Sequence, residues 1–299
     1  MNMQRLAGAA ALLMFGSIPA YAESNFDMSA GYRRDSLQWS IAGTINGTSP
    51  NVLSELTWDN LNIAQLGIRW HQTNPQGFHT RFSAAYGAIL SGDNQDSDYS
   101  GNNRTGEFSR SNNNSDGDSV IDLSGAIGFR LRSGTVDVTP LLGYSFHGQY
   151  LRMTDGYQTI PATGSFSGLN STYDAEWDGF WFGAEIETVF GSGIRAYLRL
   201  EHHIADYYAE ANWNLRNDFR HPKSFEHIAD GSGTVLSFGV GSDPKPGKMG
   251  LNVNVDYQNW NTDAGVDRVF FSNGTTSSTR LNEVTWKSFA VSLSARFVF

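Results

Sequence analysis

The last twelve residues of the chain, SFAVSLSARFVF, repeat with a period of two. Phe289, Val291, Leu293, Ala295, Phe297 and Phe299 hold the odd positions, and Ser288, Ser292, Ser294 and Arg296 hold even ones. Such a stretch presents one continuous apolar face only as a strand, because a helix would scatter these residues around its axis. The same alternation recurs upstream. Ile194, Ala196, Leu198 and Leu200 alternate with Arg195, Tyr197, Arg199 and Glu201; Phe180, Phe182, Ala184 and Ile186 stand against Glu185 and Glu187; Phe78, Phe82, Ala84 and Tyr86 stand against His79 and Arg81. A soluble sandwich also alternates, but its polar face meets water and need not carry Arg and Glu on strand after strand. Lipid outside and a charged lumen inside account for both faces. The expected fold is all-β, a ten-stranded antiparallel transmembrane β-barrel.

The ten strands are expected near 26–42, 52–72, 78–90, 118–132, 136–154, 173–190, 194–213, 225–242, 249–262 and 284–299. HQTNPQG, RSG, GSG and DPKPGK make short turns at one end. The stretches 43–51, 91–117, 155–172, 214–224 and 263–283 make longer, Asn- and Ser-rich loops at the other. Trp58, Trp70, Tyr144, Trp177, Tyr257 and Trp286 fall toward strand ends and are expected in interfacial girdles. Inside, Arg69, Arg81, Arg130, Arg195, Arg199 and Arg296 are expected to pair with Asp122, Asp137, Glu185, Glu187, Glu201 and Asp256, because a lumen this narrow holds little water. That crowding disfavours a third reading of the chain, a narrow solute channel.

Residues 1–22 carry the marks of a signal peptide: one positive charge in MNMQR, the apolar run LAGAAALLMFGSIP, and AYA before Glu23. The expected organisation is that peptide followed by one barrel over 23–299, in the outer membrane of a bacterial cell with the long loops outside. Thirty acidic residues against 21 basic ones give a formal net charge of −9. This balance argues against nucleic acid as a partner and favours cationic peptides or proteins. Without cysteine there is neither a disulfide framework nor thiol chemistry. No cofactor or metal is expected, since the seven histidines lack ligand spacing. Asp93, Asp96 and Asp98 lack the Gly and distal Glu of an EF-hand loop. Of the histidines, His147 and His203 are expected in the lumen, His202 and His227 near the interface or on the outer face.

NQDSDY, residues 94–99, sets Asp96 and Asp98 just past the third strand, where a solvated acidic loop is the ordinary reading. Ten strands with this D-x-D-aromatic tetrad on the second outer loop resemble the omptin family of outer-membrane endopeptidases. SELTW, 54–58, is similar to the family's approach to its second strand; RTGEFSR, 104–110, and Gly143-Tyr144 are looser matches. The resemblance implies a water-activating role for Asp96 and Asp98, with lipopolysaccharide as lipid partner and a monomeric barrel. It also implies an Asp-x-His pair across the mouth, with the histidine as base. At that place the chain reads EANWNLRNDF, with Asn212 and Asn214 at the corresponding positions, and an amide cannot accept the proton. The nearest replacement is Asp218 with His221. The sequence therefore leaves two functions open: an omptin-like surface binding or structural protein without proteolysis, or an omptin-type endopeptidase cleaving beside basic residues with a rearranged pair. Deleting Phe299, the aromatic terminus of the closing strand, is expected to lower the yield of heat-modifiable folded protein in outer membranes; an unchanged yield would count against this reading of the strand.

Overall fold

The structure, a computed structural model, describes residues 23–299 with position 192 excepted; the expected signal peptide lies outside the described residues. Ten strands form the wall: β1 (Glu23–Ile41), β2 (Ser54–Thr73), β3 (Phe78–Gly101), β4 (Ser119–Phe129), β5 (Val136–Ile160), β6 (Ser171–Phe190), β7 (Ile194–Asn212), β8 (Phe225–Ser242), β9 (Met249–Thr262) and β10 (Thr276–Val298). Each pairs antiparallel with its neighbours in the chain. The ring closes where β10 returns to β1, from Asn25↔Val298 to Ile41↔Leu281. Closure leaves no strand edge in the wall, which a sheet surrounded by lipid requires. Outward side chains such as Leu66, Phe180, Ile204 and Leu293 make an exposed apolar belt.

The expected strand count and alternation hold, but three boundaries move. β3, β5 and β10 run well past the belt, and two further strands, Thr105–Asn114 and Gly265–Phe270, extend the wall at the rim opposite the chain termini. NQDSDY is therefore strand, paired on both sides, and not loop. β5 is 25 residues long, about twice what crossing a membrane needs.

Near the turn end the interior is ionic. Arg296 grips Asp27 through two hydrogen bonds of 2.7 and 2.8 Å; Arg195 meets Glu187 at 2.7 Å; Arg81 meets Glu201. Arg199 lies 3.3 Å from Glu185, 3.1 Å from Glu201 and 3.9 Å from Asp256. Arg130 lies 2.8 Å from Glu23 and 3.9 Å from Asp137. Arg33, which the alternation alone did not single out, bridges Asp35 and Asp122. Arg69 departs in part from the expectation: its hydrogen bond goes to the Tyr197 hydroxyl, 3.2 Å away, while Asp256 and Asp27 act on it through charge without a direct contact.

Toward the rim the interior becomes aromatic. Trp260 and Trp286 stack at 5.4 Å, and Trp177 packs on both. Trp58 stacks on Tyr173, whose hydroxyl lies 2.6 Å from that of Tyr207. Trp58, Trp177 and Trp286 are thus core side chains, with no exposed surface, and not part of a girdle. On β6 and β10 strict parity puts Trp177 and Trp286 opposite the lipid-facing Phe180 and Phe289. On β2 a bulge between Asp59 and Asn62 reverses the facing, so Trp58 turns inward although Leu66 and Ile68 of the same parity point out. His147 and His203 lie in the lumen and His202 outside, as expected. His227, expected near the interface, is wholly buried, 2.9 Å from the Tyr173 hydroxyl.

Replacing Arg199 with Leu would strand Glu185 in a buried site and leave Glu201 to Arg81 alone, a loss on the order of 3–5 kcal/mol. Thermal melting in detergent should show clear destabilisation, and a variant melting with the parent would mean that water already screens this cluster.

Candidate functional site

SELTW and NQDSDY are neighbours in the wall. Ser54 pairs with Asp98, Leu56 with Asp96 and Trp58 with Asn94, while Ser109 and Ser111 flank the aspartates on the other side. Directly paired residues share a face. Leu56 and Trp58 belong to the core, so Asp96 and Asp98 point into the mouth of the barrel. There the Trp213 side chain donates a hydrogen bond to Asp96, and the hydroxyls of Ser54 and Ser109 reach Asp98. Removal from water, and then the charge of Asp98, push the Asp96 carboxyl up to about 8. Asp98 is raised as well, first by burial. Two carboxylates so close behave as a pair holding one proton into the neutral range.

The facing wall of the mouth is the loop between β7 and β8. Arg216 on this loop is the cation whose charge acts on both aspartates. It is itself held bidentately by Asp218, both contacts 3.0 Å, and lies over the Phe219 ring at 4.4 Å. His221 Nδ1 lies 2.8 Å from Asn212 Oδ1. Asp218 and His221 therefore do not form a pair, and neither bonds to Asp96 or Asp98: the first carboxylate belongs to Arg216 and the imidazole to Asn212. Asn214 is a brace. Its side chain donates to the Gly168 carbonyl at 2.7 Å and accepts from the Asn170 amide at 2.9 Å and the Ser171 hydroxyl at 3.1 Å. Of the four candidate residues the structure brings Asp96 and Asp98 together and leaves Asp218 and His221 apart. Trp213 and Arg216 went unmarked in the sequence, where Arg-Asn-Asp reads as an ordinary polar loop. Among the described residues, no group of three or more His, Asp or Glu is arranged to hold a metal ion.

The profile of the Protochlamydia outer membrane protein family (Pom) matches residues 27–299. The chain belongs to that family. Its outer-membrane location and its barrel follow from this membership and from solved structures. The outer membrane protease OmpT of Escherichia coli superposes with a TM-score of 0.78 at 12% identity, covering 96% of this chain and 100% of its own, so the chain has the omptin-like barrel fold. The translocator domain of the autotransporter NalP from Neisseria meningitidis (TM-score 0.36, 13% identity, 100% and 95% covered) and Ail, the attachment invasion locus protein of Yersinia pestis (0.29, 10%, 93% and 99%), are more remote. A search of curated proteins found no match to the sequence.

The raised Asp96 value makes the rim sensitive to pH in a definite direction. A carboxyl held protonated by the fold adds its stability below the ordinary carboxylate value of 3.8 and loses it as pH climbs to about 8. Amide hydrogen exchange in the β3 rim segment should accelerate between pH 5 and pH 9 beyond the intrinsic rate change, and Asp96→Asn should flatten that trend. The same trend in parent and variant would place the titration elsewhere.

Proposed function

We propose that this protein is a non-proteolytic surface barrel whose rim faces the outside of the cell and whose acidic mouth binds cationic side chains of peptides or proteins. The observation that carries the reading is what stands opposite Asp96 and Asp98: Arg216 and Trp213, with the one histidine of that loop bonded to Asn212. Hydrolysis of a peptide bond in this mouth would require a group that takes a proton from water near neutral pH. Arg216 cannot take one and Asn212 cannot either, which leaves the aspartate pair itself, already holding a proton into the neutral range, and His221, whose Nδ1 is turned to Asn212. What remains is a desolvated carboxylate pair with an indole beside it, a setting in which an incoming guanidinium or ammonium gains both ion pairing and a cation–π contact.

Arg216 already neutralises part of this acidity, so an incoming cation competes with it. Its own bidentate partner Asp218 and the Phe219 ring hold it in place, both near the surface of the loop. The site is therefore one in which a resident arginine occupies the position that a ligand's arginine would take. The alternative reading, an omptin-type endopeptidase, draws support from the OmpT-like fold and from the position of the aspartate pair within it.

The two are separated by incubating the purified protein, refolded with lipopolysaccharide, with a fluorogenic peptide carrying adjacent basic residues. Binding without cleavage is expected, weakened by salt, lost in an Asp96→Asn, Asp98→Asn double variant and strengthened in Arg216→Ala. Cleavage that disappears in His221→Ala would establish the endopeptidase instead.

A further inference from the structure

The aromatic layer at the rim encloses a polar chain that packing alone does not require. The Tyr207 hydroxyl lies 2.6 Å from that of Tyr173, and the Tyr173 hydroxyl lies 2.9 Å from His227 Nδ1. His227 Nε2 has Asp267 Oδ1 at 3.4 Å and no hydrogen-bond partner, while the Thr279 hydroxyl donates to the other oxygen of Asp267 at 2.8 Å. The two phenols, the imidazole and the carboxylate are each at most 1% exposed. Phenylalanine at 173 and 207 would fill the same space without burying hydroxyls.

Asp267 sets this chain apart. Buried carboxylates at the turn end meet an arginine, as Asp27 meets Arg296 and Glu201 meets Arg81. Among the described residues Asp267 has an ion-pair contact with the imidazole alone. A carboxylate taken out of water without a counter-charge is costly, and the cost falls when His227 gains a proton. The group placed to give one is the Tyr173 hydroxyl: with Nε2–H turned to Asp267, Nδ1 is the acceptor of the Tyr173 bond. An unoxidised phenol is too weak an acid to protonate an imidazole. A phenol that loses an electron in the same step is not.

Oxidisable rings surround this chain. Trp58 stacks on Tyr173 at 5.2 Å and Trp39 lies 6.0 Å from it; Tyr207 packs on Trp177 at 4.5 Å. The layer reaches the surface at Trp213, which is partly exposed in the mouth and packs at 4.7 Å on Phe225, itself 5.9 Å from Trp39.

We infer that the rim layer carries a one-electron oxidation from the surface to Tyr173, an activity that intercepts one-electron oxidants arriving at the mouth. The oxidant takes one electron from an indole and is reduced by one electron. The indole radical cation recovers that electron from Tyr173, whose O–H bond breaks as the proton passes to His227 Nδ1. Tyr173 becomes a neutral phenoxyl radical, and the imidazolium formed pairs with Asp267, so the buried chain goes from one uncompensated negative charge to none. Nothing in this step uses the aspartate pair, and it stands apart from the reading of the mouth as a cation site.

The probe is a ruthenium(III) polypyridyl complex generated by a laser flash with an added electron acceptor, applied to the refolded full barrel, with radicals followed by electron paramagnetic resonance. A neutral tyrosyl radical is expected, and in protein labelled with a nitrogen isotope at histidine its spectrum should show coupling to an imidazole nitrogen. Tyr173→Phe should lose that signal, Tyr207→Phe should keep it, and His227→Gln should leave an indole radical in its place. Should Tyr173→Phe fail to refold, the labelled parent decides by the presence or absence of the nitrogen coupling. A tyrosyl signal that survives Tyr173→Phe, one that shows no nitrogen coupling, equal loss in both tyrosine variants, or indole radicals alone in the parent would overturn the inference.

Discussion

Everything in this molecule hangs on backbone hydrogen bonds that have nowhere else to go. A strand facing hydrocarbon must find partners on both sides, so the sheet closes, and β10 pairs with β1 along almost its whole length. Closure with ten strands fixes a narrow interior, and the period-two alternation delivers one side chain in two to that space. The turn-end half of the lumen receives Arg, Asp and Glu, which must neutralise one another. The rim half receives Trp, Tyr and Phe, which fill it. The ionic half and the aromatic half are two ways of leaving little room for water in a space set by the wall.

That division also explains why the mouth has unusual chemistry. The aromatic layer ends at Trp58, which pairs with Asn94, one inward step below Asp96. An acidic pair resting on such a floor is shielded from solvent beneath while open above. Burial then raises both carboxyls, the charge of Asp98 raises Asp96 further, and the counter-charge comes from across the mouth in Arg216. Pairing of β3 with β2 and with Thr105–Asn114 places the acidic pair at the rim; the identity of the facing loop decides what the pair can do. With an imidazole opposite, water could be activated. With Arg216 opposite, the role proposed for the pair is to bind a cation in competition with that arginine.

Much of this was legible in the sequence, and the failures have physical causes. Parity alone on β6, β7 and β10 separates the lipid face from the lumen correctly. Trp177 and Trp286 lie near strand ends, which suggests a girdle, but their parity turns them inward, and Trp58 is turned inward by a bulge that no composition announces. The rim segments of β3 and β5 read as loop in the sequence because Asn, Ser and Gly have low strand propensity. They are held as strand by pairing with SELTW and with Thr105–Asn114, a tertiary effect. Asp96 and Asp98 could be found from the tetrad and its resemblance. Asp218 and His221 could not be joined or separated by inspection, because spacing along a loop does not say that Arg216 and Asn212 will claim them. Arg69 looks like the other interior arginines in the sequence, and only the assembled lumen shows it bonded to the Tyr197 hydroxyl, with Asp27 and Asp256 acting on it by charge without a direct contact.

The central claim is that the mouth holds a shared proton and gives it up to a cation without turning water into a nucleophile. Isothermal titration of a dibasic peptide at pH 7, in buffers of different ionisation enthalpy, counts that proton directly. The account predicts release of up to about one proton per peptide bound, followed by a flat baseline. Binding with no proton released, or a continuing heat of hydrolysis after saturation, would contradict it.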